Sequence, residues 1–421
     1  MKNSGIEWIG EIPDDWNITT IKYACVFSPK CSKIVGLGIE NEITYTPMEY
    51  IKNGYYIQNT KIIADIPSSL TMYEEGDIVM AKVTPCFENG NIARMDNLVN
   101  GVGVGSSELY VFRTKKYNRD YLFYLLQNYI FKDCAASTMI GTGGLKRVSS
   151  HFIKNSKQPF PPLSEQKAIA EFLDKKCGEV DALIADIQQE IETLEQYKRS
   201  VITESVTKGL DSSVPMKDSG IQWIGNMPAN WKCIRGKYIL KYLQKPVKKD
   251  DGVITCFRDG EVTLRSNRRE DGFAMADKEI GYQGVDIGDL VVHGMDGFAG
   301  AIGISDSQGK ASPVLNVLGT KQNKRYIMYY LRSMAYSDVF MALSTGIRVR
   351  SCDLRWNKLA ELWYPIPPLK EQEKIVTYID ETIQKANEII ADKQLQIETL
   401  ESYKKSLIYE YVTGKKEIIA Q

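Results

Sequence analysis

The chain has 421 residues, with 53 basic and 53 acidic side chains, so its formal net charge is zero; 43% of it is hydrophobic and 25% charged. Such a composition is ordinary for a globular protein, and the length suits two or three domains, each with its own core. No apolar run reaches the eighteen or more residues that a membrane helix needs, and the opening MKNSGIEWIGEIPDDW, interrupted by Glu and Asp, does not read as a signal peptide.

The first distinctive element is Ser4–Trp16, SGIEWIGEIPDDW. It recurs as Ser219–Trp231, SGIQWIGNMPANW, with 8 of 13 positions identical at an offset of 215. Tryptophans flanking Gly and Pro point to a compact docked loop that anchors the domain after it. Residues 17–158 then alternate short β-rich runs with Gly, Asn, Asp and Pro: Ile43–Tyr45, Ile62–Ile63, Asp77–Val83, Asn91–Met95 and Leu109–Arg113. Apolar residues at helical spacing predict one helix over Arg119–Cys134. Gly101–Gly105, GVGVG, has no following helix and reads as a β turn, not a phosphate loop. Gly141–Arg147, GTGGLKR, reads as a flexible basic loop.

Residues 159–210 begin PFPPLSEQ and run for about forty residues without another proline. They return at 365–416 at an offset of 206, with 24 of 52 positions identical. Proline fixes an extended approach, and Ser164, Glu165 and Gln166 suit a helix start. Ile184, Ile187, Ile191 and Leu194 are spaced 3, 4, 3, as in a heptad seam. The second copy keeps Ile390, Ile397 and Leu400 but has Lys393 where the first has Ile187. The two helices are expected to pack as an antiparallel coiled coil. Amphipathic helices lying on their own domains are the other arrangement the pattern permits.

Residues 212–364 repeat the first insert through collinear anchors. Gly76-Asp77-Ile78-Val79 matches Gly288-Asp289-Leu290-Val291 at 212, Ser106–Val111 matches Ser312–Val317 at 206, and Tyr121–Leu126 matches Tyr326–Leu331 at 205. The offset falls steadily from 215, so one fold occurs twice with loops that differ. Divergent tips on a kept frame fit two reading heads; they also fit relaxed loops on an old duplication. The expected fold class is α+β: two homologous β-rich domains (1–158 and 212–364) joined by two helical spacers (159–211 and 365–421), a pseudo-twofold internal repeat.

Charge follows this division. The spacers carry net −5 and −2, and the inserts +1 and +6, so any contact with nucleic acid belongs to the inserts. Lys146, Arg147, Arg348, Arg350 and Arg355 sit in loops just before each spacer, and Arg265, Arg268 and Arg269 form a second cluster. Arginine reads guanine and clamps phosphate, although any one of these residues also fits a solvated surface. The eight cysteines, Cys25, Cys31, Cys86, Cys134, Cys177, Cys233, Cys256 and Cys352, form no C-x-x-C pair, which favours reduced thiols and a cytoplasmic location. His151 and His293 have no spacing to a metal-ligand cluster. Walker A, Rossmann and nucleophile-elbow patterns are absent. The chain is read as non-catalytic.

The duplicated SGIEWIGEIPDDW and SGIQWIGNMPANW, the two PPLxEQ-led helices, and the anchors VTPCFENGNIA, GSSELYVFR and GDLVVHGMDGFAGAIGI together resemble the specificity (S) subunit of type I restriction–modification systems. The resemblance covers essentially the whole chain. It implies two target-recognition domains, each reading one half of a split sequence in double-stranded DNA through the major groove. It implies helices that set the gap and dock two methyltransferase (M) subunits, with restriction/translocase (R) subunits as further partners. S-adenosylmethionine, ATP and Mg2+ would belong to those partners, with no cofactor in this chain. The nearly neutral first insert departs from the basic surface expected. A reading from another class is a non-enzymatic scaffold or decoy whose inserts bind protein.

Overall fold

The computed structural model describes residues 1–142, 144–268, 280–343 and 354–418. It divides into two compact units, Met1–Ile187 with Leu395–Gln421, and Gln188–Gln394.

In the first unit a five-stranded sheet runs in the order Cys25–Phe27, Leu109–Thr114, Ile78–Ala81, Ile92–Arg94, Asn53–Gly54. Successive side chains on a strand face opposite sides, and here both sides are apolar. Ile78, Met80, Tyr110 and Phe112 join a core with the helix that follows, while Val79, Ala81, Leu109 and Val111 join a second cluster with Tyr73 and Ile51. Burial on both faces accounts for the nearly continuous apolar reading of these strands. A second sheet orders Thr60–Ile62, Glu42–Thr46, Val102–Gly105 and Thr71–Glu74. The GVGVG stretch is therefore a central strand of this sheet and not the turn its glycines suggest. A Cβ on Gly103 would lie 2.0 Å from the Tyr73 ring, so close sheet packing demands the glycine.

The second unit rebuilds the frame with the order Leu240–Tyr242, Leu315–Thr320, Leu290–His293, Ile302–Ile304. The pairing matches residue for residue. Ile78 opposes Phe112 as Leu290 opposes Leu318, and Cys25 opposes Thr114 as Leu240 opposes Thr320. Asn17 opposes Phe160 as Lys232 opposes Ile366. The first unit's second sheet also has its counterpart, in the order Val262–Leu264, Ile254–Cys256, Gly309–Ala311, Gln283–Val285, with the middle two strands held by the parallel bridge Val253–Lys310; Gln283 opposes Ala311 as Thr71 opposes Gly105. The divergence of the sequence thus lies in the loops on one frame: the hairpin connection spans residues 47–59 in the first unit and 257–261 in the second.

The helix expected over Arg119–Cys134 is broken into Arg119–Gln127 and Tyr129–Ala136. Asn128 adopts φ −52 and ψ 123 and accepts from the Ile130 amide, ending one helix and capping the next. Its counterpart, Lys324–Tyr336, is continuous.

The long helices are Leu163–Lys208 and Leu369–Val412, 46 and 44 residues. Their PPLxEQ starts are tied down by the glutamine. Gln166 Nε2 donates 2.8 Å to the Pro161 carbonyl while its Oε1 accepts from the Asn118 amide at 2.8 Å. Gln372 makes the same pair of bonds to Pro367 and Asn323. The preceding glutamate accepts from the buried tryptophan of the repeated loop: Trp16 Nε1 lies 3.2 Å from Glu165, and Trp231 Nε1 lies 2.9 Å from Glu371. The tryptophan loops are docking elements, as expected from their composition.

In the first unit the start of the first helix and the end of the second run antiparallel. The Phe172 and Tyr411 rings lie 4.5 Å apart, and Lys404 Nζ donates to Asp181 at 2.6 Å. Ile169, Leu173 and Cys177 enter the domain core with Leu407, Ile408 and Val412. In the second unit Ile202 and Val206 share the core with Ile375, Val376 and Ile379, while Lys393 pairs with Glu190, again antiparallel. Both anticipated arrangements therefore hold, in different stretches. In each unit the helix ends lie on the domain and the adjoining stretch is a narrow seam. In the first unit Ile184, Ile187, Ile397 and Leu400 are half-buried there among exposed neighbours; in the second Ile191 and Ile390 are buried and Leu194 half-buried. Lys393 occupies a half-buried seam position and is answered by a carboxylate. None of the described helices is long and apolar enough to cross a membrane.

Candidate nucleic-acid interface

In the first unit the basic stretch expected to be a flexible loop contributes to a β ribbon in its described residues: Ile140–Thr142 pairs antiparallel with Leu145–Arg147. Its base is fixed to the end of the central sheet. The Thr84 amide donates 3.0 Å to the Lys146 carbonyl, and the Val148 amide donates 2.9 Å to that of Lys82. The Arg147 guanidinium grips Glu108 through two bonds of 2.8 Å, and that bond holds the Glu108 carboxyl below its usual range. The Lys146 ammonium is exposed and has no side-chain partner among the described residues. The two neighbouring cations of the sequence motif are thus in different situations.

In the second unit Arg268 donates to Asp259 at 2.5 Å and to Glu261 at 3.1 Å, and lies over the Phe257 ring. Burial raises the Asp259 carboxyl, but Arg268 and the Glu261 amide outweigh it and the net shift is down. Arg265 begins a short turn after Val262–Leu264, part-buried beside Thr255. Arg355 precedes the helix Trp356–Glu361, its carbonyl accepting from Lys358 and Leu359. Arg269, Arg348 and Arg350 lie outside the described residues. Residues 265 and 268 are brought together; Arg355 belongs to a separate part of the domain, beside Gly294.

Further basic groups, interleaved with carboxylates such as Glu195 and Asp259 in one unit and Asp181 and Glu401 in the other, line clefts where each domain helix meets a long helix. In the second unit a cleft of about 650 Å³ is lined by Lys198, Arg199, Arg258 and Arg332 with Tyr336. Arg199 and Arg332 lie 5.4 and 5.7 Å from the Tyr336 ring centroid. Its counterpart in the first unit, about 380 Å³, is lined by Lys132, Lys404 and Lys405. Burial, and then Lys405, push the Lys132 ammonium below its usual value. The sequence carries a signal for this in Lys198-Arg199 and Lys404-Lys405, 206 residues apart, which a search confined to the inserts does not meet. His293 is structural, its Nδ1 accepting from the Met295 and Asp296 amides.

A duplicated α+β frame with differing loops and two long helices is a fold also found among solved chains of type I R-M systems. A solved chain from work on complex assembly and conformational transition of the type I R-M system superposes with a TM-score of 0.71 at 14% identity, covering 96% of this chain and 100% of that one. The HsdS subunit from Thermoanaerobacter tengcongensis gives a TM-score of 0.51 at 16% identity, covering 96% and 98%. Residues 15–193 match the family model described as the type I restriction modification DNA specificity domain, and the chain is similar to proteins named specificity subunits. It is 35% identical to the EcoAI specificity subunit of Escherichia coli over 198 residues, 46% of this chain and 33% of that protein. It is 24% identical to the MjaVIII specificity subunit of Methanocaldococcus jannaschii over 427 residues, 96% of this chain and 93% of that one. The chain thus spans only about a third of its E. coli relative.

Proposed function

We propose that this chain is the DNA-recognition subunit of a type I restriction–modification complex. Each insert reads one half of a split target, and the long helices set the gap and dock methyltransferase subunits. The observation that carries this reading is the residue-for-residue match of the two sheet frames beneath loops that differ, residues 47–59 in one unit against 257–261 in the other: a kept scaffold with two different tips suits two different half-sites. Docking is supported by exposed apolar side chains at matched helical positions. Leu183 and Tyr403 are 52% and 51% exposed in the first unit, and Ile389 and Tyr197 46% and 49% in the second. A pair of like surfaces suits two copies of one partner. S-adenosylmethionine, ATP and Mg2+ would serve chemistry on partner subunits, with restriction/translocase subunits joining the same assembly.

The test is a genome-wide methylation map in cells carrying this chain with its methyltransferase subunits. A bipartite motif that disappears when the chain is deleted is the expected result; methylation without sequence preference would refute the reading. Adding a helical turn within Asp186–Glu195 should alter the gap and leave both half-sites unchanged.

A further inference from the structure

Every described side chain in the strands of the β ribbon Ile140–Arg147 is exposed. Ile140 is 80% exposed and Leu145 57%, an unusual cost for two large apolar residues on a short hairpin. The ribbon's register divides its side chains between two faces. Cross-strand partners share a face, and successive residues alternate. Ile140 opposes Arg147 and Thr142 opposes Leu145, so these four share one face; Gly141 opposes Lys146, which leaves Lys146 alone on the other. A Cβ on Gly141 would lie 2.2 Å from the Leu145 carbonyl oxygen, so that second face is bare by necessity.

Resting on the DNA-recognition reading above, we propose that this ribbon enters the major groove of one half-site, with five of its residues in three different roles. The groove admits a two-stranded ribbon about as wide as this one. Ile140, Thr142 and Leu145 form the reading face. The Thr142 hydroxyl bonds base edges, and the two apolar chains contact thymine methyl groups. Lys146, on the reverse face, reaches a backbone phosphate. Among the described residues its ammonium has no side-chain partner, whereas Arg147 is held by Glu108 and Lys82 donates to the Ser107 carbonyl. Arg147 is a positioning residue that sets the angle of the ribbon through Glu108 and does not touch DNA. The net positive charge of the ribbon complements the phosphates flanking the groove.

The experiment uses the full chain with its methyltransferase subunits. The methylated motif is mapped for the wild type, Thr142→Val, Leu145→Ala, Glu108→Arg, Arg147→Glu and the doubly exchanged Glu108→Arg/Arg147→Glu chain. The reading-face variants should change or relax one or two positions in one half-site and leave the other intact. Each single exchange at the brace should reduce methylation, and the double exchange should restore it with the original motif, which a base-contacting Arg147 could not do. Lys146→Ala is read by duplex binding across a salt series. Affinity should fall for all sequences alike, and the slope of log K against log salt should shrink by about 1. A wild-type map with a bipartite motif that both reading-face variants leave unchanged overturns the ribbon assignment alone, as does an unaltered salt slope. A wild type without any motif overturns the DNA-recognition reading itself. If a reading-face variant abolishes methylation, purified complexes decide: retained weak duplex binding with altered preference supports the assignment, and binding equal to wild type refutes it.

Discussion

Replacing Tyr121 with phenylalanine removes one hydroxyl from the centre of the first unit and changes little else. The ring is fully buried; its O–H lies 3.0 Å from the Pro159 carbonyl and 3.1 Å from that of Val412. It thus joins the domain helix to the strand leading into the first long helix and to the last turn of the second. A phenol has one proton, so one carbonyl is donated to at a time. Carbonyls in a helix's last turn have no partner within the helix, and an unpaired buried acceptor costs about 1–3 kcal/mol. No cavity of consequence forms, because the phenyl ring stays. For a unit of this size that corresponds to a drop in melting temperature of about 2–4 °C per kcal/mol. Tyr326→Phe, whose hydroxyl lies 2.7 Å from Pro365 O and 3.1 Å from Val206 O, should cost as much in the second unit. Urea titrations should show a lower midpoint with an unchanged slope. Tyr23→Phe, at a tyrosine 75% exposed, serves as the control. A Tyr121→Phe loss below about 0.5 kcal/mol, or one no larger than the control's, would mean that these carbonyls are otherwise satisfied and that the hydroxyl does not bind the elements together.

Three further outcomes are expected. Asp77 is fully buried, holds Arg113 through two bonds of 2.7 Å and accepts from the Glu74 amide at 2.8 Å, so Asp77→Ala should destabilise the first unit by about 1–3 kcal/mol by leaving that amide unpaired, while Arg113 keeps Glu74; a thermal melt within a degree of wild type would contradict this. Lys393→Ile should be neutral or stabilising, because an apolar residue there restores the seam at the loss of one partly exposed ion pair; a marked fall in the urea midpoint would show that the pair matters more. Glu108 has its carboxyl lowered by Arg147, so its contribution is present above the unfolded value, near ~4.3, and is lost as pH falls through the depressed folded value. Amide exchange of Lys146 should accelerate in that acid window, and Glu108→Gln should abolish the dependence.

The frame was legible because its central strands are apolar on both faces and recur at offsets that slide with loop length. The long helices announced themselves by proline-led starts and heptad spacing. Glycine misled twice, by opposite routes. In Gly103 it marks close packing against Tyr73, and in Gly141 the close approach of two ribbon strands, so both stretches are strands where local rules suggest turns. The break at Asn128 was hidden because the apolar periodicity continues through it. The candidate arginines were harder still. Arg147 finds its partner 39 residues away in Glu108, and no spacing rule within a loop distinguishes it from its neighbour Lys146. The glutamines of PPLxEQ, Gln166 and Gln372, looked like ordinary first-turn residues, yet each ties a proline carbonyl to the amide capping a distant helix.

The first unit is made from both ends of the numbering, residues 1–187 with 395–421, whereas the second is one continuous stretch, 188–394. That difference fixes an order of completion during synthesis. When the ribosome has released residue 394, the second unit has all its parts and can close. The first has been waiting since residue 187 with a gap in its core where Leu407, Ile408 and Val412 belong. Its apolar surface is therefore uncovered for the translation of some two hundred residues, at ~5–20 residues per second. The domain made first is the last to be finished, and a chain cut short after the second unit would leave it open.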